Sequence, residues 1–130
     1  MNRWKDWMEQ ARINLRSARN SLLMGDYSWA CFIAHQAGDA ALKGLHQRFG
    51  QIAWGHSLAD LIYELPEEIS GKEEIIEKGK KLDRFYIPTR YPDAHPSGAA
   101  GARYGREDAE EAIRIAEEIV RFCEDKSLEN

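Results

Sequence analysis

The sequence predicts an all-α protein, an up-and-down four-helix bundle with a short additional helix. Apolar residues recur at three- and four-residue steps along four long segments. Short connections rich in glycine or proline separate these segments, and no segment shows sustained two-residue alternation. The length of 130 residues predicts a single domain over residues 1–130, large enough to bury a core without disulfides or metal.

The composition argues against several classes of protein. With 18 basic and 22 acidic side chains the formal net charge is −4, which disfavours a broad electrostatic surface for nucleic acid. The N-terminus does not have the pattern of a signal peptide, and no apolar run is long enough to span a bilayer. We therefore expect a cytoplasmic protein with no membrane partner. Cys31 and Cys123 fall on apolar helix faces without ligand-type spacing, so we expect core cysteines, no metal and no cofactor.

The first helix is predicted over residues 3–23, where Met8, Ala11 and Leu15 belong to one apolar stripe. Gly25 should end it in the left-handed conformation, and Asp26 should cap the helix that follows. So short a connection predicts antiparallel packing of the first two helices.

The second helix is predicted over residues 27–49 and should be the central one, because apolar side chains cover most of its circumference. Small residues let a neighbouring helix approach it closely; these are Ala34, Ala37, Gly38, Ala40 and Ala41. We interpret His35 as a packing histidine. Lys43 is interpreted as a lysine at the rim of the bundle, with its apolar stem against the core.

The remaining helices are predicted from their start and stop signals. Ser57 should cap a short helix that Pro66 ends. The next helix should start near Ser70, with Glu73 completing a capping box. The last helix is predicted over residues 107–124, where acidic side chains occupy the first turns and suit the positive end of the helix dipole. We expect the residues after it to fray.

A proline-rich loop over residues 86–96 links the last two helices. Its three prolines exclude a regular helix, and the following glycine-rich stretch, residues 97–105, is flexible by composition. Its chemically active side chains are Tyr86, Arg90, Tyr91, Asp93 and His95. A rigid charged loop on a helical scaffold is a common place for a functional site.

Several ordered motifs give the chain a family resemblance. They are Gly25-Asp26-Tyr27, the helix over residues 34–45, Gly55-His56-Ser57-Leu58 and Arg90-Tyr91-Pro92-Asp93. With these motifs the chain resembles the small prokaryotic HEPN domains (higher eukaryotes and prokaryotes nucleotide-binding) across nearly its whole length. The resemblance implies an up-and-down bundle that is commonly a homodimer. It also implies a minimal nucleotidyltransferase as partner, the two acting in many cases as a toxin–antitoxin pair.

One functional hypothesis is a nucleotide-binding or accessory subunit. Arg90 would bind a phosphate through its planar fork, and Tyr91 would offer a stacking face. Asp93, His56 and Lys43 complete the predicted nucleotide-binding residues. This hypothesis requires no catalysis by the chain itself.

The alternative is a metal-independent ribonuclease. Many HEPN relatives carry an arginine and a histidine a few residues apart, and Arg90 and His95 resemble that arrangement. His95 would then act as general acid or base, and Arg90 would stabilise charge on the phosphorane. This sequence departs from the pattern, because Tyr91 follows the arginine and Pro92 and Pro96 break any helix through the pair.

A third interpretation gives the loop a structural role only. Arg90 and Asp93 would form a local ion pair, with Tyr86 and Tyr91 packed on the bundle. An exposed ion pair contributes at most about 1 kcal/mol, so stability alone does not require such a segment.

The tryptophans suggest a subunit contact. Trp4 and Trp29 fall on predicted core faces, whereas Trp7 and Trp54 lie at the edge of the apolar pattern. Aromatic side chains at such positions often anchor interfaces, so we predict that Trp7 and Trp54 contribute to a homodimer.

Overall fold

The computed structural model describes residues 2–129, and five α-helices lie within that range. They are α1 (Trp4–Leu23), α2 (Tyr27–Arg48), α3 (Leu58–Tyr63), α4 (Lys72–Asp83) and α5 (Arg106–Leu128). The predicted all-α bundle of four longer helices and one short helix is confirmed, and residues 2–129 contain no strand. None of the five helices is both long and apolar enough to cross a membrane.

Helix α2 lies at the centre of the bundle, as predicted, and contacts each of the other four helices. Helix α1 packs against α2 and α5, whereas α3 and α4 pack against each other and against α2. The largest fully buried apolar side chains are Leu42, Leu45, Leu58, Leu61, Ile62, Leu82 and Ile119. A helix surrounded in this way must bury its polar residues too, and those residues position the candidate site.

The turn between α1 and α2 follows the sequence signals in part. Gly25 has a φ of +81°, the left-handed conformation predicted for it. Asp26 occupies the N-cap position of α2, but its side chain makes no capping hydrogen bond. The glycine, rather than the aspartate, therefore defines this tight connection.

The starts of α3 and α4 differ in how well the sequence predicts them. Ser57 caps α3, because its hydroxyl accepts a hydrogen bond from the Asp60 amide at 3.2 Å. The capping box expected at Ser70 is wrong: α4 begins after Gly71, whose φ is +84°, and has no side-chain cap. The Ser70 hydroxyl instead accepts a hydrogen bond from Lys126 Nζ at 3.0 Å, which ties this connection to α5.

Helix α5 extends four residues beyond its predicted end and reaches Leu128. Tertiary contacts explain the extension. The buried Ser127 donates to the Cys123 carbonyl at 2.7 Å, and Arg48 Nε donates to the Ser127 carbonyl at 2.9 Å. The expectation that this end frays is therefore wrong up to Leu128.

Both cysteines are core residues, as predicted. Cys31 and Cys123 are free and fully buried. Burial, with a smaller contribution from Asp108, raises the pKa of the Cys31 thiol to about 12, so the thiol stays protonated and unreactive at neutral pH.

One of the four tryptophans is more exposed than the sequence predicts. Trp4 and Trp7 are both partly buried against the core. Trp29 was expected in the core but is 54% exposed, and its ring meets that of Phe32 in an edge contact at a centroid distance of 5.9 Å. Trp54 is 82% exposed on the connection before α3. The predicted homodimer contact at Trp7 and Trp54 remains a prediction.

The close approach of α1 to α2 depends on Gly44. A Cβ atom there would lie 3.0 Å from Trp7 Cβ and 3.2 Å from the Trp4 carbonyl oxygen. We predict that Gly44→Val destabilises the protein by about 1–3 kcal/mol through overpacking. Gly44→Ala should cost less, because the gain in helix propensity of about 1 kcal/mol offsets part of the strain.

Denaturant unfolding of the wild type and the two variants measures this series. A Gly44→Val protein as stable as the wild type would show that α1 is free to move away from α2.

Candidate functional site

The loop between α4 and α5 begins as a continuation of α4. The buried Thr89 hydroxyl donates to the Phe85 carbonyl at 2.8 Å, and the Arg90 amide donates to the Ile87 carbonyl at 3.2 Å. These local bonds hold the backbone of residues 85–90 in consecutive turns. A short 3-10 helix, Pro92–Ala94, follows directly.

The glycine-rich half of the loop is more ordered than its composition suggests. It contains a second 3-10 helix, Ala100–Arg103, which packs against α2 and buries Ala100. The Arg103 guanidinium donates to the carbonyl of Ser97. These contacts hold the chain before α5 begins.

The Arg90 guanidinium lies among three aromatic rings. Its Cζ is 4.2 Å from the ring centroid of Phe32, 4.9 Å from that of Tyr91 and 5.0 Å from that of Tyr86. Arg90 Nε donates to the Tyr86 carbonyl at 3.1 Å. Each cation–π contact stabilises by about 0.5–1 kcal/mol at an exposed site and by more when desolvated. The rings and the hydrogen bond therefore hold the guanidinium in one position.

The predicted ion pair between Arg90 and Asp93 does not form. Within residues 2–129 no carboxylate lies at ion-pair distance from Arg90, and Asp93 is exposed without a salt-bridge partner. The terminal nitrogens of Arg90 donate no hydrogen bond to that part of the chain. The contact on which the purely structural interpretation depends is therefore absent. No carboxylate within residues 2–129 neutralises the guanidinium, which can bind an anionic ligand.

His95 belongs to a different set of contacts. Its Nε2 lies 2.6 Å from the Pro88 carbonyl, to which it donates, and its ring meets the edge of Tyr104 at a centroid distance of 5.9 Å. The structure shows no polar contact between His95 and Arg90. Proximity in the sequence thus does not pair the two side chains, and one ring nitrogen of His95 is engaged by the backbone.

Lys43 and His56, by contrast, are brought together by a buried carboxylate. Lys43 Nζ lies 3.0 Å from Asp39 Oδ2 and 3.3 Å from His56 Nδ1. His56 Nδ1 is also 3.4 Å from Asp39 Oδ1. Asp39 is only 5% exposed, whereas His56 is exposed. The three residues form a cluster with one buried anion and two groups that can carry positive charge.

Tyr86 joins this cluster to Arg90. Its ring lies 5.4 Å from the ring of His56, 4.7 Å from that of His35 and 6.1 Å from that of Phe32, measured between centroids. Arg90 lies over the same ring. Two of the sequence-predicted groups, Arg90–Tyr91 and Lys43–His56, therefore border one aromatic side chain.

Asp83 anchors the position of Tyr86. Its carboxylate accepts hydrogen bonds from His35 Nε2 at 3.0 Å, the Leu58 amide at 2.8 Å and the Ala59 amide at 3.2 Å. Burial alone would raise the pKa of Asp83, but these hydrogen bonds, with His35 the strongest, hold it below its usual range. The carboxylate therefore stays ionised and fixes the end of α4 three residues before Tyr86.

Sequence reasoning missed Asp39 and Asp83. A signal for Asp39 is present, since it stands four residues before Lys43 on a helix that is otherwise apolar. No local signal marks Asp83, because the amides that it caps come about 25 residues earlier in the chain.

The arrangement suits an anionic ligand with a planar aromatic part. Arg90 offers free guanidinium N–H groups, the Lys43 ammonium beside His56 offers a second cation, and Tyr91, which is 47% exposed, offers a ring face. Within residues 2–129 no group of three or more histidine, cysteine or acidic side chains could hold a metal ion.

The chain as a whole is similar to known proteins in sequence and in fold. The HEPN domain model matches residues 4–126. The chain is 58% identical to TT1696 from Thermus thermophilus, with a TM-score of 0.94 over 97% of this chain and 99% of that one. It is 35% identical to ST0689, an archaeal HEPN homologue, with a TM-score of 0.82 over 98% and 99%.

A third similar structure is the HEPN domain protein TM0613 from Thermotoga maritima. The identity is 39% and the TM-score 0.73, over 92% of this chain and 95% of that one. No curated protein matches the chain.

We predict that Asp83→Ala destabilises the protein at neutral pH by about 1–3 kcal/mol, because it leaves the buried His35 N–H without an acceptor. The pKa of Asp83 is lower in the folded than in the unfolded protein, where it is about 3.9. Its contribution to stability is therefore complete above that value and is lost as the pH falls through the folded-state value.

Chemical denaturation of the wild type and Asp83→Ala over a range of pH tests this dependence. The stability difference should be constant near neutral pH and shrink in acid. Asp26→Ala is the control, since Asp26 is exposed and makes no capping hydrogen bond. A difference that stays the same down to the most acidic pH at which both proteins fold would contradict the role of the Asp83 charge.

Proposed function

We propose that this chain, which belongs to the HEPN domain family, is a nucleotide-binding accessory subunit that acts with a minimal nucleotidyltransferase as a toxin–antitoxin pair. The position of the Arg90 guanidinium carries the proposal. It is held between three aromatic rings, it has no carboxylate partner within residues 2–129, and its terminal nitrogens remain available. A charged donor group fixed in this way is suited to a phosphate.

The fixed orientation of the guanidinium supports a role in binding a phosphate ligand rather than a purely structural role. The aromatic rings and the bond from Nε to the Tyr86 carbonyl fix the planar group before a ligand arrives. Less side-chain entropy is then lost on binding. Arginine is preferred over lysine at such a site because its fork matches two phosphate oxygens.

The neighbouring side chains support a nucleotide in particular. Tyr91 beside Arg90 is 47% exposed, so one face of the loop can stack on a base. Lys43 contacts His56, whose ring lies 5.4 Å from that of Tyr86, and these two residues would bind a second anionic group. Asp93 is exposed next to Tyr91 and would act as a hydrogen-bond acceptor for the base or sugar.

The nucleotidyltransferase partner and the toxin–antitoxin role rest on the family resemblance. We further propose that the protein is a single-domain homodimer in the cytoplasm. Exposed aromatic side chains support an interface, since Trp29 and Trp54 are 54% and 82% exposed. Aromatic residues of this kind are enriched in subunit interfaces.

The alternative, a metal-independent ribonuclease that uses Arg90 and His95, has less support from the geometry. His95 Nε2 donates to the Pro88 carbonyl and its ring lies against Tyr104, whereas the guanidinium of Arg90 lies over Phe32 and Tyr86. To act in catalysis, His95 would have to give up that hydrogen bond or act on a phosphate that is bound by a second protomer.

We predict that Arg90→Ala weakens the binding of a nucleoside phosphate at least tenfold, because a hydrogen bond to a charged group contributes about 1.5–3 kcal/mol. Arg90→Lys should also bind weakly, because lysine lacks the planar fork. Isothermal titration with the four nucleoside 5′-monophosphates and 5′-triphosphates measures the affinities. Arg84→Ala is the control, since Arg84 is an arginine near the same loop that forms no ion pair within residues 2–129. Unchanged affinity in Arg90→Ala would refute the proposed site.

We also predict that the purified protein does not cleave RNA in a reaction that depends on His95. Incubation with total RNA in the presence of a chelator, for the wild type, His95→Ala and Arg90→Ala, tests the alternative. Cleavage by the wild type that is lost in both variants would establish the ribonuclease. Equal RNA profiles for the three proteins would leave the binding role as the supported one.

A further inference from the structure

One buried oxygen of Asp39 has no hydrogen bond. Asp39 Oδ2 accepts from Lys43 Nζ at 3.0 Å, but Oδ1 accepts none from the part of the chain that the structure describes. The residue is only 5% exposed, so this unpaired oxygen carries a free-energy penalty. His56 Nδ1, a nitrogen that donates when it is protonated, lies 3.4 Å from this oxygen.

The same nitrogen of His56 faces two incompatible neighbours. Lys43 Nζ, 3.3 Å away, can only donate a hydrogen bond, so it requires a lone pair on Nδ1. Asp39 Oδ1 can only accept, so it requires a proton on Nδ1. The hydrogen bonds of the structure match the first arrangement, since Lys43 Nζ lies within hydrogen-bond distance of Nδ1 and Asp39 Oδ1 is unpaired within the described residues.

An anion bound at the exposed edge of His56 would favour a proton on Nδ1 in place of the lone pair. The anion requires a proton on Nε2, and it attracts the Lys43 ammonium away from Nδ1. Nδ1 is then free to take up a proton and donate to Asp39 Oδ1. The resulting imidazolium has a hydrogen-bond acceptor at each nitrogen, and the buried carboxylate has donors at both oxygens.

We infer that Asp39 makes His56 a proton-coupled phosphate ligand, so that a phosphate group bound by His56 Nε2 and Lys43 brings one proton with it. This inference rests on the proposed nucleotide-binding function and adds to it the protonation state of the bound complex. Asp39 touches no ligand in this arrangement. It is a positioning residue that selects the doubly protonated form of His56.

The charged and titratable groups around His56 are consistent with uptake at this residue. From α2 it faces Asp39 and Lys43, and from the loop it faces Tyr86, over which Arg90 lies. The other histidine beside Tyr86, His35, is fully buried and already donates to Asp83. Asp83 itself is paired with His35 and with the first amides of α3.

The proton balance can be measured by titration calorimetry. The wild-type protein is titrated with AMP, GMP, CMP and UMP as 5′-monophosphates at one mildly alkaline pH, in two buffers of different ionisation enthalpy. The binding enthalpy should differ between buffers by an amount that corresponds to uptake of about one proton, and affinity should fall by up to about tenfold per unit of rising pH. Tris and Hepes are suitable because neither contains phosphate.

The variants identify the proton acceptor. His56→Gln keeps a side-chain donor for the phosphate but cannot take up the proton, so its enthalpy should be the same in both buffers. Asp39→Asn should bind with less than half of the wild-type proton uptake. The control is Asp26→Asn, which removes an exposed carboxylate at the start of α2 and should keep the full uptake.

The titration results distinguish a failure of proton coupling at His56 from a failure of nucleotide binding. Binding with no buffer dependence in the wild type overturns the inference and leaves the nucleotide site standing. Full proton uptake in His56→Gln also overturns it, because another group must then be the acceptor. If none of the four nucleotides binds, the proposed function fails and the inference fails with it. Thermal unfolding of each variant confirms that it is folded, and the wild-type measurement does not depend on any variant.

Discussion

The carboxylate of Asp83 is the contact on which the site depends, because it joins three helices at one point. It accepts from His35 on α2 and from the first amides of α3, and it stands at the last residue of α4. A short helix such as α3 has little stability of its own, so the cap and its packing must supply it. The chain that leaves this junction carries Tyr86, whose ring contacts both His56 and the Arg90 guanidinium.

The central helix shows how a buried element can serve a surface site. Its apolar residues form the core, while His35, Asp39 and Lys43 are three polar side chains at four-residue spacing along one of its faces. A buried charge is unfavourable unless it is paired. His35 donates to Asp83 at the end of α4, whereas Asp39 is paired with Lys43 on its own helix and its Oδ1 lies 3.4 Å from His56 Nδ1 on the connection before α3. Because these polar groups of α2 are buried, they are met by the connection before α3 and by the end of α4, two segments that are distant in the sequence.

Periodicity and local signals were sufficient to predict the helices, and tertiary contacts explain the differences. The α1–α2 turn at Gly25 and the cap at Ser57 depend on neighbouring residues, so the sequence predicts them. Ser70 fails as a cap because Gly71 takes the left-handed conformation and Lys126, 56 residues away, bonds the hydroxyl. Trp29 is wrong as a core residue, since its side chain is 54% exposed. Arg90, Tyr91, Lys43 and His56 could be identified from the sequence, whereas Asp39, Asp83 and the contacts between these residues could not.

The two histidines of the site illustrate why spacing along a chain is weak evidence for chemistry. His95 stands five positions after Arg90, yet its ring meets Tyr104 and its Nε2 donates to the Pro88 carbonyl. His56 stands 34 positions before Arg90, yet it contacts the same tyrosine ring as the guanidinium. An imidazole can act on a ligand only if a ring nitrogen is exposed and its other nitrogen is held in a defined state. Asp39 and Lys43 both lie beside Nδ1 of His56. The fold therefore places His56, rather than His95, to bind a ligand.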